Sequence, residues 1–434
     1  VGTKWRTYLF FGQGPGGTFY NTIDVTLPGM SDTVSAISTN DTALLDYFAV
    51  DNRITWAWSF PRNTSFDHTL APYGELSATA ASPTEKTVGQ TWSDPAIGQV
   101  QSETGPFVMV VGSGFLEYST ETTYRSGVAR AGTTFYVLDV ATGNVLGTPR
   151  DVGADAFAET VDDCRAANDC RRMKNALQMD PVATGVADQR FITKVYIGDL
   201  DGRVWRFGLD SPSSSTVAVS PPVQLYDAGA DYPLFASMAT VNVGSTNQYL
   251  FLGTGSDLLP SNNVNYSYSL LVLLDNGASA SKTSEILLER TDWPAAAGGD
   301  EKVTAFPAVA GDIVFFTTTT HSPTTPCTPF SANLYAFTFI GGPAYDTNND
   351  GQLSTGSTGS TGGKGKGKGG SGSAPADSTK AFSTRGVRAT APFIVDQHLV
   401  FSAGDTIELF GDPDDFNNGV GQAGVRLLSW RVVK

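Results

Sequence analysis

One segment of the sequence carries oxygen side chains at the alternating spacing that suits a hard cation. Its oxygen donors are Asp346, Asn348, Asp350, the backbone carbonyl of Gln352, and Ser354. Gly351 permits the sharp turn that such a loop needs, but an EF-hand loop would close on a glutamate where this chain has Ser357. Two interpretations stay open, a short calcium loop and a plain turn rich in Asp and Asn, and the calcium loop is favoured.

Two cysteines form the second candidate pair. Cys164 and Cys170 lie six positions apart in a polar segment, so they can close a small disulfide loop in an oxidising compartment. Two free thiols are the alternative, and the disulfide is favoured. Cys327 has no partner that the sequence identifies.

A catalytic assembly is not expected. The histidines His68, His321 and His398 are far apart, and no metal-ligand spacing links them. Ser113 and Thr254 each stand between two glycines, but the five-residue pattern of a nucleophile elbow is incomplete around both. We therefore interpret both residues as turn residues and predict a protein that is not an enzyme.

Composition excludes two classes of partner. The 434-residue chain has a formal net charge of −15, so phosphate repulsion argues against binding nucleic acid. No run of 18 apolar residues occurs, and we expect no membrane span. Calcium is the only cofactor that the residues suggest.

The central structural element that the sequence predicts is a β-hairpin. Two β-branched and aromatic runs, 195–197 and 204–207, flank Asp201-Gly202, which predicts a tight two-residue turn. Alternation places Trp205 and Phe207 on a packed face, and Val204 and Arg206 on a wetter one.

Similar strand pairs recur along the whole chain and bring the predicted total to seven. They are 9–14 with 22–26, 47–50 with 54–60, 110–114 with 135–143, 251–255 with 270–275, 313–317 with 333–337, and 399–404 with 425–431. Repeated antiparallel units with variable loops predict an all-β fold, a single modified β-propeller of seven blades over residues 1–434. Two segments are expected to depart from it: a short helical insertion with the cysteine pair at about 155–180, and a flexible loop rich in Gly, Ser and Lys at 355–380.

Five ordered motifs resemble the C-terminal propeller domain of the PilY/PilC family of type IV pilus proteins. They are Trp5-Arg-Thr with the glycine loop and 23–26, Gly112–Phe115 with 136–143, 195–207, 302–307 with 315–317 and 326–327, and Leu428–Arg431. The resemblance implies a propeller at the pilus tip on the bacterial outer surface, which supports pilus assembly, extension and adhesion. Its implied partners are minor pilins and a protein or glycan of the host, the substratum or another cell.

In members of that family a calcium loop commonly precedes the Tyr-x-Gly-Asp-Leu strand. Here that place reads 180–190, with Asp180 and Asp188 as its only carboxylates, so the usual site looks degraded. The 346–354 loop is the candidate replacement.

Two alternatives to an adhesin stay open. The segment Tyr136–Gly143 also resembles the propeller repeat of quinoprotein dehydrogenases, although that group commonly has adjacent cysteines and this chain has none. A purely structural cap without a ligand is the third possibility. For an adhesin, the candidate binding loops are 62–90, 117–131, 155–180 and 340–380.

Overall fold

The computed structural model describes the chain in separate segments. They are residues 7–15, 17–25, 54–58, 88–102, 105–114, 132–152, 176–185, 190–209, 216–229, 232–243, 247–255, 270–277, 284–289, 300–303, 305–310, 313–321, 331–338, 380–385, 390–395, 398–403 and 406–410. Within them the chain forms strands β1 to β24 in six sheets. By its internal contacts the chain divides into two units, Val1–Phe235 with Ala280–Lys282, and Ala236–Ser279 with Thr283–Lys434.

The first unit holds three sheets. The first sheet contains β1 (Tyr8–Gly12), β2 (Tyr20–Asp24) and β3 (Ile54–Trp58). The second contains β4 (Ala96–Val100), β5 (Phe107–Gly112), β6 (Thr134–Asp139), β7 (Arg150–Asp151) and β9 (Phe191–Ile192), which pairs in parallel with β4. The third contains β8 (Val182–Thr184), β10 (Lys194–Gly198), β11 (Arg203–Gly208) and β12 (Val223–Asp227).

The second unit holds the other three sheets. The fourth sheet contains β13 (Ala239–Val243), β14 (Asn247–Gly253), β15 (Leu270–Asp275) and β16 (Ser284–Glu289). The fifth contains β17 (Asp300–Lys302), β18 (Ala308–Ala310), β19 (Ile313–His321), β20 (Ser331–Thr338) and β21 (Lys380–Arg385). The sixth contains β22 (Phe393–Val395), β23 (His398–Ala403) and β24 (Thr406–Phe410).

The sheets repeat one plan. In the third and fourth sheets four antiparallel strands follow one another across the sheet in chain order, and the second and fifth sheets add one short strand to the same plan. Consecutive sheets of each unit then pack face to face through apolar side chains. One such core joins Tyr20, Trp56 and Trp58 of the first sheet to Met109 and Tyr136 of the second. Antiparallel sheets packed in this order are the blades of a β-propeller, so the predicted all-β propeller class is confirmed.

The ends of four strands meet the chain that leads into the next sheet. A Cβ on the terminal glycine of β1, β5, β10 or β14 would collide with a crossing residue, in the pairs Gly12 with Thr91, Gly112 with Leu177, Gly198 with Leu234, and Gly253 with Val303. We call the crossing segments 88–95, 176–181 and 232–238 straps. Glycine is required at these strand ends because each crossing segment lies directly against the backbone.

The predicted strand pairs are largely confirmed, with two corrections. Residues 54–58 do not start a separate unit, since β3 pairs with β2 as the third strand of the first sheet. The partner of β23 is β24 at Thr406–Phe410 and not 425–431, because the nearest downstream strand closes the hairpin first. Residues 47–50 and 425–431 lie outside the described residues, and seven blades stays a prediction.

The predicted helical insertion at 155–180 falls mostly outside the described residues. Its described end, 176–180, is not helical. Leu177 N donates to Gly132 O at 2.7 Å, and Gly114 N donates to Leu177 O at 3.3 Å. These long-range bonds use the backbone groups that a helix would need, so tertiary contacts override the local preference for a helix.

Candidate functional site

The predicted calcium ligands and the cysteine pair are not among the described residues. Asp346, Asn348, Asp350, Gln352 and Ser354 lie in the undescribed interval 339–379. Cys164 and Cys170 lie in 153–175, and Cys327 lies in 322–330. Among the residues that the structure does describe, no three His, Cys, Asp or Glu side chains gather in a way that would hold a metal ion. The calcium loop and the disulfide therefore stay predictions.

Among the described residues, the carboxylate with the most unusual environment is that of Asp199, in the β10–β11 hairpin. β10 and β11 pair with Val195 opposite Phe207 and Ile197 opposite Trp205, which confirms the predicted hairpin. Its loop is longer than the predicted two-residue turn: Gly198 pairs with Val204, and Asp199 N donates to Arg203 O at 3.0 Å. Asp199 lies at the start of this loop and is completely buried.

Three N–H groups converge on the Asp199 carboxylate. Oδ1 accepts from the backbone N–H groups of Asp201 and Arg203, each at 2.9 Å. Oδ2 accepts from the indole Nε1–H of Trp205 at 2.7 Å. The backbone carbonyl of Asp199 also accepts from Gly202 N at 3.2 Å and from Leu234 N at 3.0 Å. One residue thus holds together the hairpin loop, the following strand and the strap 232–238.

Burial dominates the electrostatics of this carboxylate. It raises the pKa of Asp199 to about 7, because the charged form loses its hydration, while the hydrogen bonds from Trp205 and Arg203 N act in the opposite direction. Nearby Asp201 raises the pKa further, and the Arg203 guanidinium lowers it. Asp199 is completely buried, and its carboxylate is engaged by the hairpin itself.

Arg203 forms two ion pairs at the edge of the same loop. Its guanidinium lies 3.2 Å from Asp201 Oδ2 and 3.3 Å from Asp227 Oδ2. Burial lowers the pKa of Arg203, but the charges of Asp201, Asp199 and Asp227 outweigh it and raise the pKa overall. The guanidinium therefore stays charged and ties the loop to the end of β12.

The wetter face that alternation predicted for Val204 and Arg206 is wrong. Both side chains are buried, as Trp205 and Phe207 are. Alternation assigns side chains to opposite faces, but it does not determine whether a neighbouring sheet covers the second face. On one face Phe207 stacks on Phe135 of the second sheet, with ring centroids 4.1 Å apart.

The turn-residue interpretation of Ser113 agrees with the structure. Ser113 is completely buried, and its hydroxyl accepts a hydrogen bond from Thr134 N at 2.8 Å. Thr254 is also buried, and its carbonyl accepts from Val303 N at 3.1 Å. Trp56 and Trp58 are buried in sheet packing, and so is Trp205, which alternation places on the packed face.

The segment that resembles a quinoprotein repeat has an aspartate that serves its own turn. Asp139 Oδ1 accepts from Ala141 N at 2.9 Å and from Thr142 N at 2.8 Å. Trp56 covers this turn and donates its indole Nε1–H to Val140 O at 2.9 Å. The local motif is thus a capped hairpin turn, which a propeller needs whatever its function.

Asp180 lies where the PilY/PilC family commonly has its calcium loop. This residue also makes a structural contact. Its Oδ1 accepts from Asp94 N at 2.6 Å, which links two straps of the first unit. Asp188 lies outside the described residues. The expectation that this position departs from a calcium loop stays a prediction.

Sequence reasoning missed the role of Asp199. The sequence indicates a hairpin over 194–207 with Asp201-Gly202 at its turn, and it assigns Asp199 no role. The local signal that could have identified it is an aspartate with Asp-Gly two and three residues later and a tryptophan six residues later. The sequence does not show that Asp199 is completely buried, because the strap 232–238 that covers this residue is distant in sequence.

Comparisons with known proteins extend the fold assignment. No protein-family model matches the chain, and no curated protein matches its sequence. Among solved structures, the PilY1 C-terminal domain of Pseudomonas aeruginosa matches with a TM-score of 0.51 and 14% identity, over 94% of this chain and 82% of that one. BamB of Moraxella catarrhalis matches with 11% identity over 76% of this chain and 78% of that one, but its TM-score of 0.29 is too low to support an argument. The predicted likeness to the PilY/PilC C-terminal domain is confirmed as a likeness of fold.

Proposed function

We propose that this chain is a pilus-associated propeller domain that acts without catalysis, in the assembly or extension of type IV pili and in attachment to surfaces. The observation that carries the proposal is the fold it shares with the PilY1 C-terminal domain over 94% of the chain. Because one fold can host several functions, the proposal depends on a functional test.

The use of the buried polar groups agrees with a scaffold role. Asp199, Ser113 and Asp139 each direct their side-chain oxygen at backbone N–H groups of a turn or a strand end. Such groups fix the geometry of the sheets, and binding then falls to the loops between them. The candidate loops are 62–90, 117–131, 155–180 and 340–380.

The location and partners follow from the same proposal. The domain would lie at the pilus tip on the bacterial outer surface, next to minor pilins, and contact a protein or a glycan of a host, a substratum or another cell. Nucleic acid is disfavoured by the net charge of −15. Within the described residues, no helix has the length and apolarity that crossing a bilayer requires.

Calcium modulation is the finer part of the proposal. Its proposed ligands are Asp346, Asn348, Asp350, Gln352 and Ser354, whose oxygens suit calcium. The Asp180 carboxylate is engaged with Asp94 N, which favours the 346–354 loop over the 180–190 segment.

Deletion of this domain in the source organism tests the function. We expect the deletion to reduce surface pili and attachment, and the unaltered domain to restore both. Complementation with a domain that lacks 155–180 separates the two roles. If these residues form a binding site at the rim, attachment is lost while pili remain. Normal pili and attachment after deletion would contradict the proposal. Loss of a quinone-dependent dehydrogenase activity with normal pili would favour the enzyme alternative.

A further inference from the structure

The turn that follows β15 contains an asparagine directly before a glycine. β15 ends at Asp275, and Asn276 and Gly277 come next, both exposed to solvent. Gly277 has a φ of 82°, in the left-handed region that favours glycine. The connection returns at Ser284, which pairs with Asp275 where β16 begins. The Asn-Gly pair therefore lies at the exposed start of a hairpin connection in the second unit.

An Asn-Gly pair is chemically labile because its two reacting atoms belong to adjacent residues. The backbone nitrogen of the glycine attacks the Cγ carbon of the asparagine, and glycine has no side chain to obstruct the approach. The glycine N–H loses its proton, a bond forms between this nitrogen and Cγ, and the bond from Cγ to the amide nitrogen breaks, which releases ammonia. Water then opens the cyclic imide at one of its two carbonyls and leaves aspartate or isoaspartate. Asparagine accordingly counts among the thermolabile residues.

The N–H group that must react is held by a neighbouring carboxylate. Gly277 N donates to Asp275 Oδ1 at 2.9 Å. Asp275 is completely buried, so the packing around β15 keeps this acceptor in place. While the bond is formed, the N–H group is directed at Asp275, and removing its proton would put a second negative charge beside the carboxylate, which repulsion between like charges opposes. The bond must therefore open before the nitrogen can attack Asn276.

We propose that Asn276 is a site of spontaneous deamidation and that the hydrogen bond from Gly277 N to Asp275 sets its rate. Hydrogen bonds in exposed turns open at a small free energy compared with those of core strands. Water is the only other reactant. The product carries an additional negative charge, and isoaspartate also adds one backbone carbon to the connection between β15 and β16. This inference does not rest on the proposed pilus role.

A second turn has the same hydrogen bond without the asparagine. At the end of β12, Asp227 Oδ1 accepts from Gly229 N, also at 2.9 Å, and Gly229 has a φ of 97°. Ala228 stands between them, where the first turn has Asn276. The same bond can thus be weakened at Asp227 with no effect on the reacting pair, which makes this turn a matched reference.

Peptide mapping by tandem mass spectrometry tests the site. We expect aspartate and isoaspartate to accumulate at position 276 when the folded full chain is kept in mildly alkaline buffer, and the Asn276→Gln variant to show no such products there. The same chain in denaturant gives the rate without the turn, and the other Asn-Gly pair, Asn418-Gly419, is its internal reference. Deamidation at 276 should be slower in the folded chain than in denaturant. An intact Asn276 in the folded chain, after the denatured chain has converted fully, would overturn the site.

Asp275→Ser tests the role of the hydrogen bond. A serine hydroxyl makes the same turn contact more weakly than an aspartate does. We expect deamidation at 276 to rise several-fold in the folded variant and to stay unchanged in denaturant. Asp227→Ser is the control, since it weakens the equivalent turn and should leave the rate at 276 unaltered. No rise in Asp275→Ser, or an equal rise in both variants, would overturn control of the rate by this bond.

Hydrogen exchange of the Gly277 amide gives a second measurement that needs no variant. If the bond to Asp275 must open before the attack, warming the unaltered chain should speed exchange at this amide and deamidation at Asn276 together, relative to the denatured chain. Deamidation that stays constant while the exchange of the Gly277 amide rises would contradict the proposal.

Discussion

Trp205 donates its indole Nε1–H to Asp199 Oδ2 at 2.7 Å inside the β10–β11 hairpin. The carboxylate is completely buried and also accepts two backbone N–H groups of the loop. The Trp205 side chain on β11 therefore fixes the loop that leads into β11.

Removing the indole N–H should weaken the hairpin. Trp205→Phe keeps an aromatic ring but leaves Asp199 Oδ2 without this donor, and a hydrogen bond to a charged or partly charged group is worth about 1.5 to 3 kcal/mol. We expect a lower melting temperature by circular dichroism. Trp92→Phe is the control, since the Trp92 indole N–H reaches only the Gln90 side chain two residues away. Equal shifts for the two variants would contradict a special role for the Asp199 bond.

The stability of the chain should depend on pH through Asp199. Burial raises the pKa of this carboxyl from 3.8 to about 7, so between these values the folded chain holds a proton that the unfolded chain releases. Stability from this group is therefore complete below about pH 4 and is lost as the pH rises towards 7, by at most about 1.4 kcal/mol per pH unit.

Asp199→Asn provides the comparison for this pH dependence, because the amide does not titrate. We expect the melting temperature of the unaltered chain to fall relative to that of the variant between pH 4 and pH 7. A constant difference across that interval would show that the folded pKa of Asp199 is close to its ordinary value.

A methyl group at a strand end should disturb the crossing strap. In Gly198→Ala the new Cβ would lie 2.6 Å from Met179 Sδ and 2.7 Å from Leu234 Cβ, closer than carbon and sulfur atoms can pack. We expect a loss of about 1 to 3 kcal/mol in unfolding free energy, which is typical of overpacking. Gly208→Ala at the other end of the hairpin is the control, since its nearest neighbour is Ser220 Oγ at 3.3 Å. A Gly208→Ala effect as large as that of Gly198→Ala would argue against the strap contact.

Calcium binding by the 346–354 loop can be measured directly. Isothermal titration of calcium into the chelator-treated chain should give one binding event, because the alternating oxygens of Asp346, Asn348 and Asp350 suit this ion. The double substitution Asp346→Ala and Asp350→Ala should abolish it. Binding that survives in the double variant would place calcium elsewhere, and no binding in the unaltered chain would remove calcium from the proposal.

Local sequence patterns were enough to predict the strand class and most of the local pairing. Short apolar runs that end in Gly-x-Gly predicted β1, β5 and β14, and the run around Asp201-Gly202 predicted the β10–β11 hairpin. These features are visible because alternation and turn residues act over a few positions along the chain. The motifs at 195–207 and 136–143 also led to the fold that the PilY1 match supports.

Local patterns could not predict which segments cover each element, because those contacts form between residues far apart in the sequence. The burial of Arg206, the addition of β3 to the first sheet and the complete enclosure of Asp199 all depend on chain segments far away in sequence. The alternation of side chains along a strand determines which face each one is on. Whether that face is buried depends on the approach of another sheet or strap. That approach buries Asp199 and thereby raises the pKa of its carboxyl.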